Sequence, residues 1–73
     1  MKNQSETRRY SLLLRRLKTA RQQAGLTQAA VARALRKPQS YVSKCESGER
    51  RVDAIELSAF ANLYGRPVTF FIE

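Results

Sequence analysis

The glycines and prolines of this chain constrain its fold most strongly, because they divide its 73 residues into short segments. There are only three glycines and two prolines, namely Gly25, Pro38, Gly48, Gly65 and Pro67. Between them, apolar residues recur at intervals of three and four, the spacing of a helix that buries one face. The pattern predicts an all-α fold of five short helices without strands.

Local signals place the starts of these helices. Thr27 is a good N-cap for the second helix, and Asp53 is one for the fourth. Pro38 suits the first turn of the third helix, because its fixed backbone angle is already helical. We therefore expect one helical domain over residues 10–73, preceded by a frayed basic segment over residues 1–9.

The composition excludes several classes of function. With one cysteine and no histidine, the chain can form no intramolecular disulfide and offers no ligand set for a metal. We expect Cys45 to be a core residue, because its spacing from Val42 is helical. No nucleophile–base pair or glycine-rich phosphate loop is present, so we expect neither an enzyme nor a cofactor. A lone thiol is typical of a reducing cytosol, and no apolar run could span a membrane, so we expect a cytoplasmic protein.

Basic charge is concentrated in one part of the sequence. Fourteen Lys and Arg outnumber six Asp and Glu, which gives a formal net charge of +8. Ten of the basic residues lie between Thr7 and Cys45, a stretch that contains no acid. Such an excess favours a polyanion as partner, although a charge run alone is equally compatible with a merely solvated surface. A basic amphipathic helix over residues 8–21 would also suit a membrane surface, but that interpretation leaves the next pattern unexplained.

The third predicted helix carries an unusual set of outward side chains. About four residues, 36–39, separate it from the second helix, a connection typical of a helix-turn-helix. Its outward positions hold amides, hydroxyls and a lysine, which pair with base edges in the major groove of DNA. We assign base contacts to Gln39, Ser40, Tyr41, Ser43 and Lys44. Two alternatives stay open: Tyr41 could be a packing residue, and Gln39 and Ser40 could be ordinary helix-start residues.

The run GLTQAAVARALRKPQSYVSKCESGERR, residues 25–51, resembles the helix-turn-helix of phage repressors and Cro proteins, the XRE-like family. Arg21 before the Gly-Leu-Thr-Gln motif and Glu46-Ser47-Gly48 after the third helix carry the resemblance. The resemblance extends over residues 10–72. It implies a five-helix bundle of the lambda-repressor-like type that binds operator DNA as a homodimer. It also implies repressor-like regulation of transcription in bacteria or phages.

The resemblance further implies roles for single residues. It places Gln28 on a DNA phosphate, where it would also brace Gln39. It pairs Arg21 with Glu46, which ties the first helix to the third. We assign the phosphate contacts to Thr27, Gln28, Ser47, Arg50 and Arg51. Arg36 stands where a glycine commonly closes the second helix, so it adopts the left-handed conformation or the helix ends differently.

A second set of apolar residues near the C-terminal end predicts an interface between two copies. The fourth helix carries two apolar residues offset from its core face, and in the last turn Val68 and Phe71 are expected to face the core. The candidate dimer interface is Ile55, Leu63, Phe70 and Ile72. Two alternatives stay open: this end merely caps the fold, or the protein is an antitoxin or interaction module of the same fold that binds a partner protein here.

Overall fold

The computed structural model describes residues 4–73 of the chain, with side chains from Thr7 onward. This range contains five helices and no strands, so the predicted all-α class is confirmed. The helices are α1 (Gln4–Gln23), α2 (Gln28–Leu35), α3 (Gln39–Ser47), α4 (Ala54–Tyr64) and α5 (Thr69–Ile72). Helices α2 and α3 form the helix-turn-helix.

Helix α1 begins earlier than predicted. It starts at Gln4, whereas we expected regular helix only from residue 10. Between this start and Gly25 the sequence has no glycine or proline, and most of its residues have good helix propensity. Residues 4–9 therefore continue α1 instead of forming a frayed segment, and residues 1–3 lie outside the described range.

Capping interactions define the two ends of α2. Thr27 is the N-cap, where its Oγ1 accepts a hydrogen bond from the N–H of Ala30 at 3.0 Å. At the other end Arg36 has φ 57° and ψ 47°, so it adopts the left-handed conformation, and its N–H donates to carbonyls of the last turn. The backbone of Pro38 is extended, so it ends the connection and α3 starts at the next residue.

The core lies where α1 crosses the other helices. Helix α1 contacts α3, α4 and α5, and α2 packs on α3. The largest fully buried side chains come from all five helices, namely Leu17, Val31, Val42, Cys45, Phe60 and Phe71. Val42 and Cys45 were the core positions predicted for α3, and their burial leaves the opposite face of α3 to solvent.

The residue that ends α3 has a backbone conformation that favours glycine. Gly48 is in the left-handed region, with φ at 86°. A Cβ atom at this position would lie 2.8 Å from Leu14 Cδ1 of α1. The end of the Leu14 side chain can move aside, so it is the backbone conformation that opposes a side chain here. The left-handed turn at Gly48 ends α3, and the loop that carries Arg50 and Arg51 follows.

Candidate nucleic-acid interface

The outward face of α3 is polar and open. Four of the five residues assigned to base contacts are exposed, namely Gln39, Ser40, Ser43 and Lys44. Within the described part of the chain, the first three of these side chains hydrogen-bond to no other residue. Lys44 Nζ lies 3.7 Å from Glu49 Oε2, and both side chains remain more than half exposed. The donors and acceptors of this face are therefore accessible to a ligand.

Tyr41, the fifth of these residues, is half-buried and turns its hydroxyl toward the protein. The hydroxyl donates to Glu56 Oε2 at 3.1 Å. Its ring lies almost parallel to that of Phe60, with the ring centroids 6.2 Å apart. Burial, together with the hydrogen bond to Glu56, raises the pKa of Tyr41, so the hydroxyl keeps its proton. The packing role that the sequence left open for Tyr41 is therefore present in the structure.

One buried carboxylate joins the first three helices. Glu46, near the end of α3, accepts hydrogen bonds from Arg21 Nε at 2.6 Å and from Arg21 Nη2 at 3.1 Å. Arg21 is the partner that the resemblance implies, and its hydrogen bonds to Glu46 raise its pKa. Gln28 Nε2 donates to Glu46 Oε1 at 3.0 Å, so Gln28 braces Glu46 rather than Gln39. The network holds the start of α2 and the end of α3 against α1.

Tyr10 of α1 holds the loop that follows α3. Its hydroxyl accepts a hydrogen bond from the N–H of Val52 at 3.0 Å. Its ring lies under Arg51, whose guanidinium carbon is 4.2 Å from the ring centroid. Ser47 Oγ closes the end of α3 by donating to the carbonyl of Lys44 at 3.2 Å. Tyr10 therefore positions Arg51, a residue assigned to the phosphate contacts, although nothing in the sequence indicated this role for it.

Arg50 is engaged within the protein. Its Nη1 lies 2.7 Å from Glu56 Oε2, and its guanidinium carbon lies 4.8 Å from the centroid of the Tyr41 ring. The hydrogen bond to Glu56 raises the pKa of Arg50, which stays charged. Its side chain is still 44% exposed, so it remains partly open to solvent.

Sequence reasoning missed two residues of this surface. Glu56 forms a capping box with Asp53, in which the Asp53 N–H donates to Glu56 Oε1 at 3.0 Å and the Glu56 N–H donates to Asp53 Oδ1 at 2.7 Å. The Asp-x-x-Glu spacing signals this cap, but not the reach of Oε2 to Tyr41. Lys37 Nζ lies 5.3 Å from the centroid of the same ring. Its only signal was a basic residue directly before Pro38.

Helix α5 buries its residues differently from the prediction. Phe71 is fully buried, as expected, but Val68, also expected to face the core, is 39% exposed. Phe70 and Ile72, expected to face outward, are half-buried and pack against the core. Arg16 Nη1 donates to the Phe70 carbonyl, and its guanidinium carbon lies 5.2 Å from the Phe70 ring centroid. The prediction failed because a single helical turn is too short to show a period.

Helix α4 leaves one large apolar side chain in solvent. Ile55 is 80% exposed, close to the N-terminal end of the helix. Leu63, the other dimer candidate on α4, is half-buried and packs against the core. Of the four candidates, Ile55 is therefore the one most open to a second copy.

A shallow groove interrupts the surface between α1 and the loop after α3. It has a volume of about 260 Å³ and is lined by Arg9, Tyr10, Leu13, Arg51 and Ile72.

In residues 4–73, no three His, Cys, Asp or Glu side chains are placed to share a metal ion. Nor is any helix of this range both long and apolar enough to cross a bilayer.

Comparison with known proteins identifies the family. A family profile described as a helix-turn-helix domain matches residues 12–69, which include all of α2, α3 and α4. No curated protein and no solved structure gives a significant match. The match covers most of the chain. The chain belongs to the helix-turn-helix domain family, of the XRE and Cro-like type, whose members bind DNA.

Proposed function

We propose that this protein is a sequence-specific, repressor-like regulator of transcription that reads the major groove of a palindromic operator as a homodimer. The observation that carries the proposal is the outward face of α3, which presents accessible amide, hydroxyl and ammonium groups. A helix face that is merely solvated does not need this particular set of groups. Amide, hydroxyl and ammonium groups are, however, the ones that hydrogen-bond to base edges in the major groove. The membership in a DNA-binding family supports the same interpretation.

Five side chains of α3 supply the base readout. Gln39 can pair with the N6 and N7 atoms of adenine, and Lys44 with the O6 and N7 atoms of guanine. Ser40, next to Gln39, can pair with either kind of base, as can Ser43. Tyr41 takes part through its ring alone, because its hydroxyl is held by Glu56. Each good pair contributes about 1–3 kcal/mol of discrimination against the wrong base.

A second group of residues holds the sugar–phosphate backbone. These are Thr27, Gln28, Ser47, Arg50 and Arg51. They lie at the start of α2, at the last residue of α3 and in the loop that follows, where Arg51 is kept in place by Tyr10. Phosphate contacts set the orientation of the protein on the duplex without reading its sequence. The formal charge of +8 adds a long-range attraction to the polyanion.

A selection of duplexes from a random library tests the proposal. The selected sequences should share a palindromic motif, and Gln39→Ala should cost about 1–3 kcal/mol on that motif and relax one or two of its positions. If the dimer neutralises about eight to ten phosphates, log K should fall with log salt at a slope of roughly −7 to −9. Both quantities come from titrations of the selected and scrambled duplexes at several salt concentrations.

Asn62→Ala provides the control, because Asn62 is an exposed amide on α4, away from α3. It should leave both the motif and the salt slope as they are in the parent. A slope shallower than about −3 would mean that the basic surface is not the binding surface. An unaltered motif in Gln39→Ala would rule out the proposed reading face of α3.

A further inference from the structure

The carboxylate of Glu56 connects the start of α4 with α3 and with the loop between them. Its Oε1 accepts the hydrogen bond from the Asp53 N–H at 3.0 Å. Its Oε2 accepts both the Tyr41 hydroxyl at 3.1 Å and Arg50 Nη1 at 2.7 Å. The backbone hydrogen bond at Asp53 lowers the pKa of Glu56, and the bonds from Tyr41 and Arg50 lower it further. Glu56 therefore stays ionised and keeps both oxygens occupied.

Tyr41 completes a group that we name the Glu56 cluster, which consists of Lys37, Tyr41, Arg50 and Glu56. The ring of Tyr41 has the Lys37 ammonium 5.3 Å and the Arg50 guanidinium 4.8 Å from its centroid. Phe60 of the core stacks on the same ring. Because Lys37 and Tyr41 flank Gln39 and Ser40 in the sequence, the cluster borders the proposed reading face.

We propose that Glu56 weakens binding to the DNA backbone by keeping Arg50 paired inside the protein, and so limits sequence-independent binding. The inference rests on the proposed function. A guanidinium adds to phosphate binding through its unpaired positive charge, but Arg50 is half of a neutral pair. A phosphate has to compete with a carboxylate 2.7 Å away. Glu56 cannot follow Arg50 toward the duplex, because its other oxygen is held by the cap of α4.

The effect should be the same on every DNA sequence. Phosphate contacts carry no sequence information, so releasing Arg50 should tighten binding to selected and random duplexes alike. The side chains of Gln39, Ser40, Ser43 and Lys44 should be unaffected, because Glu56 contacts Tyr41, Arg50 and Asp53 instead.

Glu56→Gln isolates the charge of Glu56 from its capping role. Glutamine is an accepted partner in a capping box, so one side-chain oxygen still receives the Asp53 N–H and α4 keeps its start. The amide nitrogen then replaces Oε2 and cannot accept a hydrogen bond from Arg50. We expect affinity for a random duplex to rise several-fold, and the salt slope to steepen by up to about 0.9 per chain, the contribution of one complete phosphate contact.

Two controls separate this effect from a general change in charge. Glu49→Gln removes the same charge from an exposed carboxylate that lies 3.7 Å from Lys44, and such exposed pairs are weak. It should raise the affinity for random DNA clearly less than Glu56→Gln does. In a background of Arg50→Ala, Glu56→Gln should bring no gain beyond that of Glu49→Gln, because no guanidinium remains to be released.

The measurements are titrations of random and selected duplexes, with thermal unfolding to check the fold. A second test leaves Glu56 in place: Arg50→Ala should flatten the salt slope less than Arg51→Ala does. An unchanged or lower random-DNA affinity in Glu56→Gln, an equal rise in Glu49→Gln, or equal slopes for the two arginine variants overturns the inference alone. A parent protein that binds no duplex overturns the proposed function, and the inference with it.

Discussion

Arg36 occupies a backbone position that helices usually give to glycine. Its φ of 57° and ψ of 47° let its N–H and that of Lys37 bond to the carbonyls at the end of α2. For a residue with a Cβ atom, the left-handed conformation costs roughly 1–2 kcal/mol. The sharp turn between α2 and α3 is therefore made at a cost in stability that the rest of the fold offsets.

Arg36→Gly should raise the free energy of unfolding by up to about 1 kcal/mol. Glycine relieves the backbone strain, and this gain is partly offset by the greater freedom of glycine in the unfolded chain. Chemical denaturation measures the difference. Arg36→Ala removes the same charge but keeps the Cβ atom, so it should bring no such gain. Equal stability of the two variants would show that the strain is absent.

Single residues could be predicted from the sequence where their neighbours along the chain decide their role. The N-cap Thr27 and the helix-ending Gly48 are of this kind, since a cap or a turn is completed within a few positions. The contact of Tyr41 with Glu56 spans 15 positions and depends on how α4 lies against α3. No spacing in the sequence expresses that geometry, so the Glu56 cluster could not be predicted.

At the scale of helices, the pair of Arg21 and Glu46 decides how α1 and α3 are joined. The two side chains are only 11% and 7% exposed, so each charge depends on the other. Arg21→Met should destabilise the protein by about 3–5 kcal/mol, because it leaves Glu46 buried without its partner. The double variant with Glu46→Leu should recover much of this loss, which thermal or chemical unfolding would show.

The exposed pair of Lys44 and Glu49 is the matched control. Lys44→Met should change the stability by less than about 1 kcal/mol, because both groups are largely solvated in the folded protein. If the double variant at Arg21 and Glu46 is as unstable as Arg21→Met, the loss comes from packing rather than from an uncompensated charge.

Whole helices were predictable in proportion to their length. Helices α2 to α4 show enough turns for an apolar period and are bounded by a cap or a glycine. Helix α5 has four residues, so nothing in the sequence distinguished Val68 from Phe70 as the side chain that packs. The early start of α1 could not be predicted from an apolar period, because the polar residues before Tyr10 favour a helix without showing an apolar stripe.

At the scale of the whole molecule, the proposed mode of binding requires a second copy. One helix in the major groove reads only a few base pairs, and repressors of this type place two half-sites about 34 Å apart. The half-buried Phe70 and Ile72 are poor probes of the interface, since a charge there would also disturb the fold. Ile55 is 80% exposed, so it can be changed without that complication.

Ile55→Glu should leave the protein folded and preserve its weak binding to a half-site. It should lower affinity for the full palindrome by on the order of 10²-fold, because the advantage of two linked contacts is lost. Mobility shifts with the two duplexes measure this. Ser11→Glu adds the same charge to an exposed position of α1 and should weaken both complexes alike. If Ile55→Glu binds the palindrome as tightly as the parent, the interface lies elsewhere.

Cys45 lies on the buried face of α3, so its thiol can report how often the folded protein opens. It is the single cysteine of the chain, it is fully enclosed, and burial raises the pKa of its thiol. A thiol reagent can reach it only while the helices are apart, so the rate of labelling relative to the unfolded chain gives the free energy of opening without denaturant. A bound duplex favours the closed molecule and slows that rate in proportion to its affinity. The affinity for DNA could thus be measured from the rate at which a reagent labels the Cys45 thiol.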